Sequence, residues 1–476
     1  MACPLSPPAL PPRAMLQDKA FFVGIGGSGM MPLAMILSAR GVEVSGSDRA
    51  LDQGRVPAKF DALKRLGVAL HPQDGSGVAS PEQLVVASAA VEETVPDIVR
   101  ARELGCPRAT RAEMLARLFN ESALPIGVAG TSGKSTVTGM IAWILHACGR
   151  DPTVMNGAVM KNFATAHAPF ASALVGGGDA FVSEVDESDG SIALYRPRVA
   201  VLNNVSLDHK SLDELRTLFG DFARKAAVVV ANADDADAAA LASGLANVRT
   251  FSVEGEADLS ARGLRAAPYG VRFELHADGA VLPVALNVPG RHNVSNALAA
   301  LGAAEAAGVP LADAARAIEG FAGLRRRMEL VGEAGGVAVI DDFGHNPDKI
   351  AATLDALHAF PGRVLALFQP HGFGPLKLMG RELAATFAGR MREGDVLVMP
   401  DPVYQGGTVS REVGSEDVVA QVAASGRDAR HVPDRERAAE LLVAAAQPGD
   451  RIVVMGARDD TLSLLAEGMV RALAGR

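Results

Sequence analysis

Short apolar runs, each followed by a glycine turn and an amphipathic stretch, set the first expectation for this chain. Phe21-Phe22-Val23 leads straight into a glycine-rich turn. Beyond it, Met30, Leu33, Ala34 and Leu37 recur at the three- and four-residue spacing of one helical face. Val42-Glu43-Val44 and residues 84–88 read as further strands. Strand, helix, strand in that order predicts a parallel sheet covered by helices. The same grammar restarts at Leu124-Pro125. Residues 126–129 form a strand, a second glycine turn follows, and Val137, Met140, Ile141, Ile144, Leu145 and Cys148 line one face of a long helix that Gly149 ends. Two apolar strands come next, over 180–185 and 199–205. Residues 226–287 hold an Ala-rich helical stretch and then alternating strands around Val271-Arg272-Phe273-Glu274-Leu275, before an Ala-rich helix over 293–307. A third block starts near Gly323, where strands over 337–340, 364–368, 396–399 and 452–455 alternate with amphipathic helices. Pro347 marks the first turn of one helix and Ser415-Glu416 the cap of another. No fixed-period repeat and no long linker interrupts the pattern.

Composition narrows the class. At 476 residues the chain is long enough for about three domains of ~100–200 residues each. Hydrophobic residues are 49% and charged residues 21%, which excludes global disorder. A net charge of −9 argues against a general polyanion-binding surface, and one Trp with three Tyr does not suit stacking on bases, so no nucleic-acid partner is expected. Cys3, Cys106 and Cys148 form no CxxC pair, which excludes a cysteine zinc site and fits a reducing compartment. No apolar run approaches the ~18–20 residues of a membrane helix, so no membrane insertion is expected. The segment MACPLSPPALPPRAM is proline-rich and lacks the apolar core of a signal peptide, with Met15 as an alternative start. A cytoplasmic protein acting on small molecules is expected; the oligomeric state stays open.

Two glycine loops carry candidate chemistry. Gly24-Ile25-Gly26-Gly27-Ser28-Gly29 matches GxGxxG between a strand and a helix, and Asp48 follows 19 residues after Gly29. Such glycines let the backbone approach a pyrophosphate, and the helix N-terminus offers unpaired amides. Gly26, Gly27, Ser28, Gly29 and Met30 are candidate contacts to a nucleotide diphosphate, with Ser47 and Asp48 near its ribose or base. The same residues also read as a ligand-free turn capped by Asp48. A nicotinamide-dependent oxidoreductase is one class this motif permits.

The second loop, Gly130-Thr131-Ser132-Gly133-Lys134-Ser135-Thr136, says more. A strand feeds a nest of amide donors, Lys134 is placed for β/γ-phosphates, and Ser135 for Mg²⁺. The loop departs from GxxxxGK[ST], since Val128 stands where the first glycine belongs. Glu184 and Asp186-Glu187-Ser188-Asp189 end one apolar strand, and Asp208-His209 follow another, at the strand ends where ligands bind. Glu184 and His209 join Ser135 as candidate metal ligands, while Glu187 and Asp189 read equally as solvated loop residues. An oxidoreductase leaves this second loop without a task. A non-catalytic regulatory ATPase remains as a further class.

Together these residues resemble the Mur ligases of peptidoglycan synthesis, over nearly all of residues 19–476. The likeness runs in order through Gly24 to Met30, Arg111-Ala112-Glu113-Met114-Leu115, Gly130 to Thr136, Glu184 to Asp189 and Asp208-His209. It continues through Gly290-Arg291-His292-Asn293-Val294-Ser295-Asn296, Arg325-Arg326-Arg327-Met328-Glu329 and Asp341-Asp342-Phe343-Gly344-His345-Asn346-Pro347. Within the family it is greatest to the members that add L-alanine, or a recycled tripeptide, to UDP-N-acetylmuramate. The resemblance implies an α/β protein of three domains after a flexible leader over 1–18. A Rossmann-like domain over 19–123 would hold the UDP-sugar, a P-loop domain over 124–322 the ATP, and a Rossmann-like domain over 323–476 the amino acid. It implies ATP and Mg²⁺ as cofactors of an ADP-forming ligase working through an acyl phosphate.

The resemblance also assigns residues. His292 and Asn296 lie four apart on one helix and would flank adenine, though both also read as helix caps. Arg327 would reach the γ-phosphate from the third domain, with Asp341 beside the nucleotide. His345, Lys377 and Arg381 would line the amino-acid pocket, the last two sharing a face if their segment is helical. The chain departs from the family pattern at Ser132 and Ser135, usually His and Thr, and at Asn346, usually His. Phe219 stands where several members carry a carbamylated lysine. Gly372-Phe373-Gly374-Pro375-Leu376-Lys377 replaces an Arg-rich continuation.

Overall fold

Lys19–Val23 is the middle strand of a five-stranded parallel sheet, flanked by Glu43–Ser47 and Leu84–Ala87. Ala69–His71 and Arg108–Thr110 complete it, giving the order 3-2-1-4-5 in chain sequence. Phe21, Phe22 and Val23 are fully buried, as a continuous apolar strand must be when helices cover both faces. The order reverses beside the first strand, so its glycine turn and the helix Met30–Ala39 open at the switch point where α/β sheets bind ligands. The computed structural model describes residues 18–89, 91–166, 168–206, 210–403, 413–457, 459 and 461–476. The chain divides into two compact units, Met1–Ala116 and Arg117–Arg476.

The second unit carries two sheets. In the larger, of ten strands, Val248–Ser252, Val228–Asn232, Val199–Leu202, Leu124–Ala129, Ala180–Glu184 and Thr153–Met155 lie parallel in that order. Leu259–Ala267 joins one edge and turns back through Gly270–Ala277 and Ala280–Leu286 as an antiparallel meander. The alternating sequence around Phe273 belongs to that half-exposed meander, as its alternating burial requires. Leu124–Ala129 is central, with Ala180–Glu184 on one side and Val199–Leu202 on the other. The phosphate loop, the acidic segment after Ala180–Glu184 and the Asn203-Asn204 pair therefore start from adjacent strand ends. Helices Lys134–Ala147 and Arg291–Ala306 share the core, with Met140, Ile141 and Ile144 in one cluster with Leu298 and Leu301. Phe219 is fully buried in helix Leu212–Arg224.

In the smaller sheet Glu329–Ala334 runs antiparallel to Val337–Asp342. Arg451–Gly456, Val364–Gln369, Val396–Met399 and Asp428–His431 then follow in parallel. Apolar layers cover both faces, one with Ile350, Leu354 and Phe387, the other with Leu442, Leu462 and Ala466. Pro347–Leu357 begins after the cap Asn346, whose side chain accepts from the Lys349 amide. A short antiparallel contact ties the two sheets' segments: Met160 bridges Leu324, Arg325 N donates to Val159 O at 2.9 Å, and Lys161 N to Gly323 O at 3.1 Å. Among the described residues no helix is long and apolar enough to cross a membrane.

Asp395 locks this last sheet from inside. Burial alone would raise its pKa, but the buried His358 Nε2 at 2.7 Å and the amides of Val364 and Arg392 at 2.8 and 2.6 Å hold it below the ordinary value. Asp395→Ala strands all three partners and should cost on the order of 3 kcal/mol in denaturant unfolding. Because the folded carboxyl has the lower pKa, this stability is present above about pH 4 and is lost as pH falls through the folded value. The gap between wild type and variant should therefore close in acid.

Candidate active site

In the first unit, part of the glycine loop is occupied by its own chain. Gly26 N donates to Asp48 Oδ2 at 2.8 Å, and Asp48 Oδ1 accepts from Ala50 N at 2.8 Å, capping the short helix Arg49–Asp52. Asp48 thus caps the loop, the second of the two uses its place in the sequence offers. Ser47 is fully buried and donates to Asp97 Oδ2 at 2.6 Å, and Met30 is buried. Gly27 and Ser28 are exposed and Gly29 half-exposed, forming the open edge of the loop. Two cations border it. Lys59 Nζ donates to Gly26 O at 3.1 Å, and a side chain at Gly29 would press on Arg111 Cδ, 2.9 Å from an added Cβ. The sequence reading missed Lys59, which carries no local signal, and saw Arg111 only as part of a motif.

In the second unit the phosphate loop rests on asparagines. Ser132 N donates to Asn204 Oδ1 at 2.8 Å, while Asn203 and Asn204 Nδ2 donate to Ser132 O at 2.9 and 3.0 Å. Thr131 Oγ1 donates to Ser206 O at 3.0 Å. Gly133 has φ +85°, and a Cβ there would run into Asn203 Nδ2 and Asn296 Oδ1, so glycine is required twice over. Asn296 is buried, accepting from Asn203 at 3.2 Å and donating to Asn293 at 3.1 Å. Through Asn203 it braces the loop. His292 keeps a solvent-open face, yet surrounding protein lowers its pKa against the pull of Asp342.

Lys134 and Ser135 open the helix that follows. Lys134 Nζ donates to Gly130 O at 2.7 Å and to both oxygens of Glu187 at 2.7 and 2.9 Å. Glu187 is only 4% exposed, which overturns its reading as a solvated loop residue. Ser135 Oγ donates to Glu184 Oε2 at 2.7 Å, and Asn156 Nδ2 fixes Ser135 O at 2.9 Å. A Cβ at Gly157 would collide with Glu184 Oε1, so the glycine keeps room for that carboxylate. Hydroxyl and carboxylate oxygens together are the donors Mg²⁺ takes. Asp208 and His209, expected beside them, lie outside the described residues. Gly157→Ala should displace the Glu184 carboxylate and raise the Mg²⁺ concentration for half-maximal activity by tenfold or more, roughly the loss seen when a metal ligand's support is removed. A titration with the fold intact checks this.

The third block delivers Arg327, whose Nη2 donates to Ser135 Oγ at 3.5 Å. Burial lowers its pKa from the ordinary value while Asp342 and Glu184 oppose the change. Asp341 is fully buried, accepts from Ser463 Oγ at 2.6 Å and lies 3.4 Å from Arg326 Nε, with burial pushing its pKa up to about 6. Successive strand side chains point to opposite faces, and Asp342 takes the other one. It accepts from the amides of Met328 and Gly344 at 2.9 Å each and from Thr353 Oγ1 at 2.8 Å. His345 Nδ1 lies 2.9 Å from Phe343 O, and its ring meets His371 edge-on at 5.2 Å. Burial, then the cations around it, push its pKa down to about 3, so it is a neutral imidazole at pH 7. Lys377 and Arg381 are exposed on the helix Phe373–Arg390, one turn apart.

Models of the Mur ligase family, catalytic domain, the Mur ligase middle domain and the Mur ligase glutamate ligase domain match residues 19–123, 128–304 and 326–458. A UDP-N-acetylmuramate–L-alanine ligase of Streptomyces coelicolor is 39% identical over 463 residues, covering 94% of this chain and 96% of that protein. One from Rhizobium meliloti is 35% identical, covering 92% and 93%. The crystal structure of a UDP-N-acetylmuramate–alanine ligase from Thermotoga maritima superposes with TM-score 0.79 at 25% identity, covering 96% of this chain and 100% of that one. That of a murein peptide ligase from Psychrobacter arcticus gives 0.71 at 26%, covering 96% and 99%. The chain belongs to the Mur ligase family.

Proposed function

We propose that this chain is an ATP-dependent ligase that joins L-alanine to UDP-N-acetylmuramate, a step in making peptidoglycan precursor, in the cytoplasm where its soluble substrates occur. The observation that carries the reading is the convergence of Lys134, Ser135 and Glu184 with Arg327, which arrives from nearly two hundred residues along the chain. Relatives named for that reaction over almost the whole chain support it.

Charge builds on the γ-phosphoryl group as it leaves ATP, and catalysis of such transfers is positioning plus electrostatics. The nest of amides from Gly130 to Thr136 receives the phosphates, and Lys134 and Arg327 supply fixed cations on two sides. Ser135 and Glu184 would hold Mg²⁺, which neutralises phosphate charge when bound. The sugar's lactyl carboxylate attacks the γ-phosphorus, releasing ADP and forming an acyl phosphate. The amine of alanine then adds to the acyl carbon and phosphate departs. His345, neutral and too weak a base to strip an ammonium, is suited to orient the amine through a hydrogen bond. The open edge Gly27–Gly29, with Lys59 and Arg111 beside it, is the proposed seat of the UDP diphosphate. Lys377 or Arg381 would meet the amino-acid carboxylate.

Phosphate release measured with UDP-N-acetylmuramate and a panel of acceptors tests the reading. L-alanine should be preferred, with glycine and serine next; a strong preference for the L-Ala-D-Glu-diamino-acid tripeptide would overturn the acceptor. Lys134→Ala should lower turnover on the order of 10³-fold or more without unfolding the protein, because the cation acts where charge develops. Near-wild-type turnover would remove Lys134 from the chemistry.

A further inference from the structure

The backbone that carries Arg327 is strained on both sides of it. Arg326 and Met328 adopt left-handed φ of +60° and +47°, and neither is glycine. Such conformations are costly and persist only where the surroundings over-determine them. Here they are: Phe343 N donates to Arg326 O at 2.8 Å, Arg326 N to Glu329 Oε2 at 2.9 Å, and Met328 N to Asp342 Oδ1 at 2.9 Å. The Arg326 side chain is anchored as well, donating through Nη2 to Gly456 O at 2.8 Å. The backbone is therefore fixed, but the long Arg327 side chain needs its own constraint. Its hydrogen bond to Ser135 Oγ, at 3.5 Å, is too long to hold the side chain by itself.

The Phe343 ring supplies it. The Arg327 guanidinium carbon lies 4.5 Å from the ring centroid and that of Arg326 5.2 Å from the same centroid, both within cation–π range. The ring also meets His345 edge-on at 5.4 Å. One phenyl group thus borders two guanidiniums and an imidazole at the entrance to the site. It has no hydrogen bond to give and no proton to move, so whatever it contributes must pass through those neighbours.

We propose that Phe343 is a positioning residue for Arg327. Its ring holds the guanidinium beside the phosphate loop, so that the cation is in place before the γ-phosphate arrives. The inference rests on the reading of Arg327 as a γ-phosphate contact. An arginine fixed in advance loses less rotamer freedom on binding than one recruited from solvent, and it keeps water from being the phosphate's partner.

The test is the ratio of MgATP to MgADP affinity, measured by calorimetry, because it isolates the γ-phosphate and requires no turnover. Phe343→Leu should lower the ratio by about tenfold, the size of one charge-assisted contact, while MgADP affinity stays within about twofold. Arg327→Ala should lower it by a similar factor, and the double variant should lose no more than Arg327→Ala alone. Phe343→Tyr and Phe343→Trp keep an aromatic face and should keep the ratio. In turnover, Phe343→Leu should lower kcat about 10–100-fold, as expected for a misplaced catalytic cation. An unchanged ratio in Phe343→Leu, a multiplicative loss in the double variant, or equal damage by Phe343→Tyr would each overturn the proposal. Should Phe343→Leu not fold, the tyrosine and tryptophan variants still decide it. Failure of the wild type to use UDP-N-acetylmuramate would count against the proposed function alone, since the affinity ratio does not involve that substrate.

Discussion

Two carboxylates and two cations are confined in one poorly hydrated corner, and the site is organised by how they neutralise one another. Lys134 and Glu187 form the tightest of these pairs, at 2.7 Å, with side chains 18% and 5% exposed. A charge withdrawn from water is tolerable only when it is paired and hydrogen-bonded, and removing one member is far more costly than never having had the pair. Glu187 thus keeps the loop lysine folded over the Gly130 carbonyl. Phosphate oxygens arriving at the loop are the natural replacement for that carboxylate. On the other side Arg327 approaches Ser135, whose hydroxyl already donates to Glu184.

The scaffold beneath is made of backbone amides and asparagines. Asparagine carries both donor and acceptor without charge, so Asn203 and Asn204 can satisfy the loop's peptide groups, with Asn296 bracing Asn203, without disturbing the charge balance above them. That support explains why Gly133 leaves no space for a side chain. It also couples the phosphate loop to the helix Arg291–Ala306, whose first turn carries His292. From the opposite direction, the strained turn around Arg327 converts the rigidity of the Val337–Asp342 strand into the position of a single guanidinium.

Most of the architecture could be read in advance because buried parallel strands are continuous apolar runs and the glycine turns mark their ends. Val199–Leu202 and Val364–Gln369 are examples, and the meander around Phe273 announced itself by alternation. Ser135 and Glu184 were legible for the same reason: each ends or follows a strand in a sheet whose order brings them together. Ser47, Asp48, Asn296 and Asp341 are less legible, because a polar residue near a strand end or in a helix's first turns is needed just as often by the protein's own amides and hydroxyls as by a ligand. Their tertiary partners, Asp97, Gly26, Asn203 and Ser463, become visible only in the fold. Glu187 was undecided in sequence because its pairing to Lys134 spans 53 positions. Phe343 was silent for a different reason: an apolar residue inside a charged motif offers no chemistry, only a surface.

The central claim is that this arrangement drives attack of a carboxylate on a phosphoryl group. Its most direct test uses UDP-N-acetylmuramate labelled with ¹⁸O in both lactyl carboxylate oxygens, with ATP and L-alanine, and mass analysis of the phosphate released. If the carboxylate attacks the γ-phosphorus and the amine then displaces phosphate, each phosphate carries one ¹⁸O from the sugar. Phosphate free of that label, released in step with product, would contradict the account.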